Sequence, residues 1–556
     1  MGESIAMFSK PKGNRYEDEL AAILAVILIV PSVGAWMAWW LAERFSEASP
    51  VPDNPITMGK LFIDGDSDWP PQAWFWLAVL ASPVLIVFFA FVWRVSGSRL
   101  DRLASRLPTQ GLRRYQKGKG PIIGRTVGVS PTRTLRMTTE DQSVIVAGPR
   151  TGKTTTQAIP AVLNHKGSIV VTSNKRDIYD AVVEPKSEDG RVWLFDPQNI
   201  APTNQAQRWW WNPLSVVTDI SEARALAGIW SDSSKDLNAK TDSYFDPASK
   251  ELLTGLILAA SIEGVEVSKI YEWLIDPKNT EPADILNETS EYGLAGRSVK
   301  EFQDLPDKQR SGVYGGALKT MGWVTDPSIR QWCENSSNDL THFDIAEFVE
   351  STDTLISLSR EGETSATALV TALTAAVLTE AETLAAHQSD GRLEVPLLGV
   401  LDEAANVCRW QQLPDLYSHY GSRGIILMSI FQSWAQIQSA YGNQGAEKLW
   451  SAANVRVYGG GVSDTTFLKR ISELCGDYDQ RQDSVSSNHH AVTKSRSLKK
   501  QATLDVSMLG ALPPKRAVVL LSAATPTVVK LKPYWKQKTL MQRFKGFTNP
   551  QIQGAK

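Results

Sequence analysis

Between Glu19 and Glu43 the chain carries no charge for 23 residues, Leu20 to Ala42, and a second uncharged stretch runs from Trp69 to Trp93. A helix crossing a bilayer needs about 20 apolar residues. Each stretch therefore spans a membrane or needs a core closed around it on all sides. A cleaved leader has a shorter apolar region and is not followed by a second one. Trp36, Trp39, Trp40, Trp74, Trp76 and Trp93 fall near the ends of the stretches, where indoles favour the membrane interface. Pro31 and Pro83 are tolerable inside such helices.

Charge orients the pair. Residues 43–73 hold six acids and two bases, whereas Arg94 to Arg136 hold eleven bases and one acid, Asp101. By the positive-inside rule both termini face the cytoplasm and the segment 43–70 lies outside. The basic stretch reads first as this topology signal and second as a contact for lipid or DNA. The overall balance, 58 Lys+Arg against 60 Asp+Glu over 556 residues, hides this sorting. It excludes only a uniformly basic coat. Cys333, Cys408 and Cys475 are too few and too scattered for a disulfide framework or a Cys-based zinc site, and indicate a reducing compartment.

Beyond Gly120 short Val- and Ile-rich runs alternate with helical patterns: Ser143–Gly148, Ser168–Ser173, Arg191–Asp196, Thr354–Ser359, Pro396–Ala404, Gly424–Ile430 and Asn454–Gly460. Strands without polar alternation are buried on both faces, which predicts an α/β fold with a parallel sheet under helices. Residues 212–341 show helical spacing with few strand-like runs, and read as an all-α insertion between strands of one sheet. Residues 476–503 are polar without an apolar period and read as an exposed loop. Ala517–Ala523 and Thr527–Leu531 predict a closing hairpin.

The run Ala147-Gly148-Pro149-Arg150-Thr151-Gly152-Lys153-Thr154 follows a strand and precedes a helical pattern. A strand-to-helix turn of this composition aims backbone N–H groups at phosphates, with Lys153 reaching the β- and γ-phosphates and Thr154 holding Mg²⁺. Ala147 stands where the strict pattern has Gly. The loop with Thr155 makes the candidate ATP-binding segment. Its partner is the apolar strand ending in Asp402-Glu403: Asp402 is the second candidate for Mg²⁺, and Glu403 the candidate base for the attacking water. Gln432, ending the strand after Gly424, is placed to sense the γ-phosphate, or is a cap. Arg423, at its start, reaches a neighbouring subunit's nucleotide, or makes a surface salt bridge. Arg150 reads as solvent-facing or phosphate-adjacent. His489-His490 lack an acid or Cys at ligand spacing, so a metal site is not expected; nearby bases suit single-stranded nucleic acid. Trp209-Trp210-Trp211 reads as packing rather than base stacking.

These blocks, in their order, resemble the TraG/TraD-like type IV coupling proteins: two N-terminal spans, AGPRTGKT, GSIVVTSNKRDIYD, VWLFDP, WWNPLSV, LLGVLDEAANV, GSRGIILMSIFQSWAQIQSAYG and LGALPPKRAVVLL. The Asp402–Val407 block looks like a variant of the family's hallmark, with Ala404 where an apolar or aromatic residue is usual. Ser173-Asn174-Lys175-Arg176-Asp177 departs from the family's Asp-Pro-Lys-Gly-Glu but keeps Lys175.

The resemblance implies a RecA-like P-loop NTPase domain carrying an inserted all-α domain, with an N-terminal two-helix transmembrane anchor in the inner membrane. The expected division is an anchor over 1–93 with spans near 20–42 and 71–93, a basic linker over 94–136, a motor domain over 137–211 and 342–545, an all-α substrate-recognition domain over 212–341, and a tail over 546–556. It implies ATP and Mg²⁺ as cofactors and a homo-hexamer. The implied partners are relaxase-bound single-stranded DNA or protein effectors, and the components of a secretion channel. Two alternatives share these residues: an FtsK-like translocase of double-stranded DNA, and a recruiting adaptor that binds nucleotide without obligatory hydrolysis.

Overall fold

The computed structural model describes residues 32–46, 48–65, 68–95, 99–201, 209–235, 242–335, 339–360, 366–488 and 491–543. Residues 20–31 of the first apolar stretch, His489-His490 and the tail 546–556 lie outside the described residues. The chain divides into two compact units, Met1–Ser98 and Arg99–Lys556.

In the first unit residues 32–46 are helical and a 25-residue helix covers Pro71–Val95, with Pro83 inside it. Segment 43–70, expected as a plain loop, contains a ten-residue helix, Pro55–Asp64. The Asn54 side chain caps it by accepting from the N–H groups of Ile56 and Thr57, and Gly65 ends it at φ 76°, the left-handed position a helix terminus uses. Indoles pin the connection: Trp36 Nε1 donates to the Pro52 carbonyl, Trp39 Nε1 to that of Ser49, and Trp76 Nε1 to Ser46 Oγ. Trp40, Trp74 and Phe75 remain exposed. Among the described residues searched, one helix, Thr367–His387, is long and apolar enough to cross a membrane. That helix is mostly buried in the second unit, which makes it a core helix.

The second unit is built on β1 (Ile122–Thr126), β2 (Thr134–Arg136), β3 (Ser143–Val146), β4 (Ile169–Ser173), β5 (Val192–Phe195), β6 (Trp209–Trp210), β7 (Thr341–His342), β8 (Thr354–Leu358), β9 (Leu397–Leu401), β10 (Ile425–Phe431), β11 (Val455–Tyr458), β12 (Asp477–Asn488), β13 (Ala491–Ala502), β14 (Arg516–Leu521) and β15 (Thr527–Lys530). Eleven of these described strands form one sheet in the order β2-β1-β15-β14-β11-β3-β10-β9-β4-β8-β5. From β11 to β5 every pairing is parallel. The other four strands, β14, β15, β1 and β2, add on antiparallel. The closing hairpin is β14 and β15; β1 and β2 carry no sequence signal strong enough to predict them.

β3, β4, β8, β9 and β10 are buried at every position, as continuous apolar runs require in a sheet covered on both sides. Alternate residues supply the two cores. Val144, Val146, Leu397, Leu401 and Leu427 join one cluster, and Ile145, Leu398, Val400, Ile426 and Met428 the other. The helix Thr367–His387 packs in the first cluster and the helix Ile159–Asn164 in the second.

Between β6 and β7 the chain is helical, including Ile220–Ser234, Phe245–Glu263, Val267–Ile275, Gly293–Asp304 and Asp307–Thr320. β6 and β7 close this stretch by pairing in parallel, Trp209 with Thr341 and Trp210 with His342. Trp209 and Trp211 are buried. Trp209 stands edge-on to Trp193 and Trp332, and Phe343 packs on both Trp193 and Trp209, with ring centroids 5.0–5.6 Å apart. These rings form an aromatic joint between edge strand β5 and the ends of the helical stretch.

Residues 476–503 are not the loop that their polarity suggested. β12 and β13 pair antiparallel along twelve residues each, from Asp477 opposite Ala502 to Asn488 opposite Ala491. A two-stranded ribbon joins its strands through backbone hydrogen bonds, so it needs no apolar period to form.

Candidate functional site

The loop 147–154 leaves the central strand β3 and enters a helix whose first turn, Thr154–Ala158, is widened. Pro160 supplies the reason: it has no N–H to give the carbonyl four residues back, and a wider turn relieves the clash of its ring. Hydroxyls fix the loop, with Thr151 Oγ1 donating to the Gly148 carbonyl and Thr155 and Thr156 to that of Gly152. Arg150 is exposed, with left-handed φ 60°.

Gly459-Gly460-Gly461, which ends β11, packs beneath the loop and was not singled out from the sequence. The Gly148 N–H donates to the Gly460 carbonyl at 2.9 Å. A Cβ on Gly148 would lie 1.9 Å from the Gly461 carbonyl oxygen, and one on Gly459 would lie 2.8 Å from the Ala147 Cβ. Ala147 is thus accommodated at the first loop position because its neighbour on β11 has no side chain. Three consecutive glycines after an apolar strand were the available signal.

β9 delivers the acids. Asp402 and Glu403 follow Leu401, and both are buried. The order β3-β10-β9 places the end of β10 between the ends of β3 and β9, so Gln432 meets the same carboxylate as Lys153. Lys153 Nζ forms a salt bridge with Glu403 Oε1, and Gln432 Nε2 donates to Glu403 Oε2 at 2.8 Å. Thr154 Oγ1 donates to Asp402 Oδ2 at 3.1 Å. Glu403 holds φ 55° and ψ 42°, a left-handed conformation that costs a non-glycine residue about 1–3 kcal/mol. That strain persists where the surroundings over-determine it, as the salt bridge and the Gln432 amide do here.

Asp402 Oδ1 is buried without a hydrogen-bond partner among the described residues. Burial pushes the Asp402 carboxyl up to about 6, against the pull of Lys153. An orphaned carboxylate oxygen beside a threonine hydroxyl is the hard-oxygen environment that Mg²⁺ prefers, so the residues present fit that ion. Lys175, from the turn after β4, also lines the cavity of about 350 Å³ between the loop and the acids.

Arg423 does not join this group. It ends the helix Leu413–Arg423 at the amino edge of β10, and its Nη1 donates to the Gly391 carbonyl at 3.1 Å. Gln432 lies past the carboxyl end of the same strand, on the order of 25 Å away at a strand's rise per residue. Within one chain the two cannot share a nucleotide.

A family described as "Type IV secretory system Conjugative DNA transfer" matches residues 109–553. "Conjugal transfer protein TraG" of Agrobacterium fabrum strain C58 is 25% identical over 367 residues, covering 64% of this chain and 54% of that protein. "Type IV secretion system-coupling protein VirD4" of Bartonella henselae is 26% identical over 351 residues, covering 60% of this chain and 52% of that one. The chain spans about half the length of these curated relatives. Among solved structures, "Bacterial conjugative coupling protein TrwBdeltaN70" in its unbound monoclinic form aligns at TM-score 0.54 and 14% identity, covering 79% of this chain and 91% of that one. That likeness establishes a shared RecA-like α/β fold.

Proposed function

The chain belongs to the type IV secretory system conjugative DNA transfer family, and from that premise we propose that it is a membrane-anchored ATPase. It powers the passage of DNA, as a relaxase joined to single-stranded DNA, or of protein substrates toward a type IV secretion channel. The observation that carries the reading is the convergence of Lys153, Thr154, Asp402, Glu403 and Gln432 at the carboxyl ends of three adjacent strands. The curated relatives are named for conjugal transfer and for coupling to type IV secretion.

In this reading the backbone N–H groups of residues 150–155 hold the phosphates of ATP, and Lys153 reaches the β- and γ-phosphates. Thr154 and Asp402 hold Mg²⁺, which when bound neutralises charge on the phosphates. Glu403 orients the attacking water and accepts its proton, while the Gln432 amide keeps the carboxylate aimed. Arg423 of one subunit serves the site of the next in a ring, a hexamer by family resemblance. The uncharged stretches near 20–42 and 71–93 anchor the ring in the inner membrane, with both chain termini cytoplasmic. The helical stretch between β6 and β7 receives the substrate.

Replacing Lys153 removes the phosphate-reaching charge without touching the anchor. Lys153→Ala lowers ATP turnover by about 10²–10³-fold and abolishes transfer, while the protein still fractionates with the membrane. Transfer at the parent frequency in that variant refutes the motor reading.

A further inference from the structure

The turn that carries Glu403 continues into the short buried helix Ala404–Val407 and then into Arg409. Its Nε donates to the Ala405 carbonyl at 3.2 Å and its Nη1 to the Lys235 carbonyl at 2.6 Å. Lys235 caps the carboxyl end of the helix Ile220–Ser234. The Lys235 ammonium in turn lies 2.9 Å from Asp246, in the first turn of the helix Phe245–Glu263. One planar group thus joins the turn after the acid strand to the end of one helix of the segment between β6 and β7, and Lys235 joins that end to a second helix.

The other end of the connection runs into the site. Gln432 donates its side-chain amide to Glu403 and its backbone N–H to Gln436 Oε1, and Gln436 Nε2 donates to Asn406 Oδ1. Glu403, Ala405 and Asn406 sit on one tight turn, so a displacement of Glu403 displaces the carbonyl that Arg409 holds. The Ala405 carbonyl lies in the single turn Ala404–Val407, and the Lys235 carbonyl belongs to the extended residue that follows Ile220–Ser234. Spanning the two takes the fixed fork of a guanidinium; an ammonium is a single point.

We propose that Arg409 is a positioning residue that couples the nucleotide site to the helical segment. A nucleotide that engages Lys153 competes with Glu403 for that ammonium, and the resulting adjustment of the turn passes through Arg409 to Lys235. By reciprocity, a substrate held on the helical segment biases the placement of Glu403. This role rests on the ATP-binding reading above.

Amide hydrogen exchange on the full chain, with and without a non-hydrolysable ATP analogue and Mg²⁺, tests it. In the parent the analogue slows exchange over residues 150–155 and changes it in the last turn of Ile220–Ser234. Arg409→Ala and the charge-conserving Arg409→Lys keep the first response and lose the second. In steady-state turnover both lower kcat and leave KM within about twofold. A far response that persists in both variants overturns the coupling, as does a parent whose loop is protected while the helix end is unchanged. Absence of protection at the loop itself overturns instead the nucleotide reading on which the coupling stands.

Discussion

The two ends of the parallel strands treat charge in opposite ways. At the carboxyl ends of β3, β9 and β10, Lys153, Asp402 and Glu403 are drawn out of water, and Asp402 keeps an oxygen with no donor among the described residues. At the amino ends, Arg114 pairs with Asp141 and Arg392 with Glu140 beside an open cavity of about 600 Å³, and Arg423 donates to a carbonyl. Partly exposed pairs of that kind contribute about 0–1 kcal/mol each. The same strands therefore bury two acids against the single ammonium of Lys153 at one edge, and carry partly exposed ion pairs at the other. In the function proposed above, the chemistry belongs to the first edge, and the second serves a nucleotide brought by another copy.

Mixing subunits is the sharpest way to break that comparison. Glu403→Gln and Arg423→Ala each lower ATP turnover by about 10³-fold, the first by removing the base and the second by removing a charge supplied from a neighbour. Because the two lesions lie at different edges, assembling the two variants together restores part of the turnover. Mixtures no more active than either variant alone place Arg423 outside the reaction.

A smaller effect sharpens the contrast in burial. The folded-state pKa of Asp402 lies above its ordinary value, so between about pH 4 and 6 the native state keeps a proton that the unfolded chain has lost. Stability therefore falls as pH rises through that window and stays lowered above it. Asp402→Asn removes the charge, and its stability advantage over the parent grows from pH 4 to 6 to reach about 3 kcal/mol at most. Denaturant titration across that range measures it; an advantage independent of pH contradicts the desolvation argument. At the far edge the smallest change is expected: Arg392→Ala alters stability by about 1 kcal/mol or less and leaves ATP affinity unaltered in equilibrium binding.

How much of this was legible varied with the physics of each part. Buried parallel strands announce themselves, and all seven of the runs picked out as strands are strands of the main sheet. β12 and β13 were missed because a ribbon stabilised by its own backbone ladder leaves no period in its side chains. β1 and β2 were missed because short strands at a sheet's rim mix polar and apolar residues. Lys153 and Thr154 could be found from local spacing. Arg409 enters the picture only through a partner far along the chain, the Lys235 carbonyl, and Gly459–Gly461 left no more than a run of three glycines to find them by.

The sequence by itself determined which apolar runs become strands of the parallel sheet, which glycine-containing loop joins a strand to a helix, which acids end a buried strand, and how charge is sorted about the two apolar stretches. Each of those follows from residues within one turn or one strand of each other. Tertiary structure alone decided that β10 lies between β3 and β9, which lets Gln432 meet Glu403, and that Arg423 lies a strand's length from the site beside which its sequence neighbours end. It also decided that Arg409 reaches Lys235 across 174 residues. Strand order and long-range contact are set by how whole faces pack, and that is not encoded in the spacing of neighbouring residues.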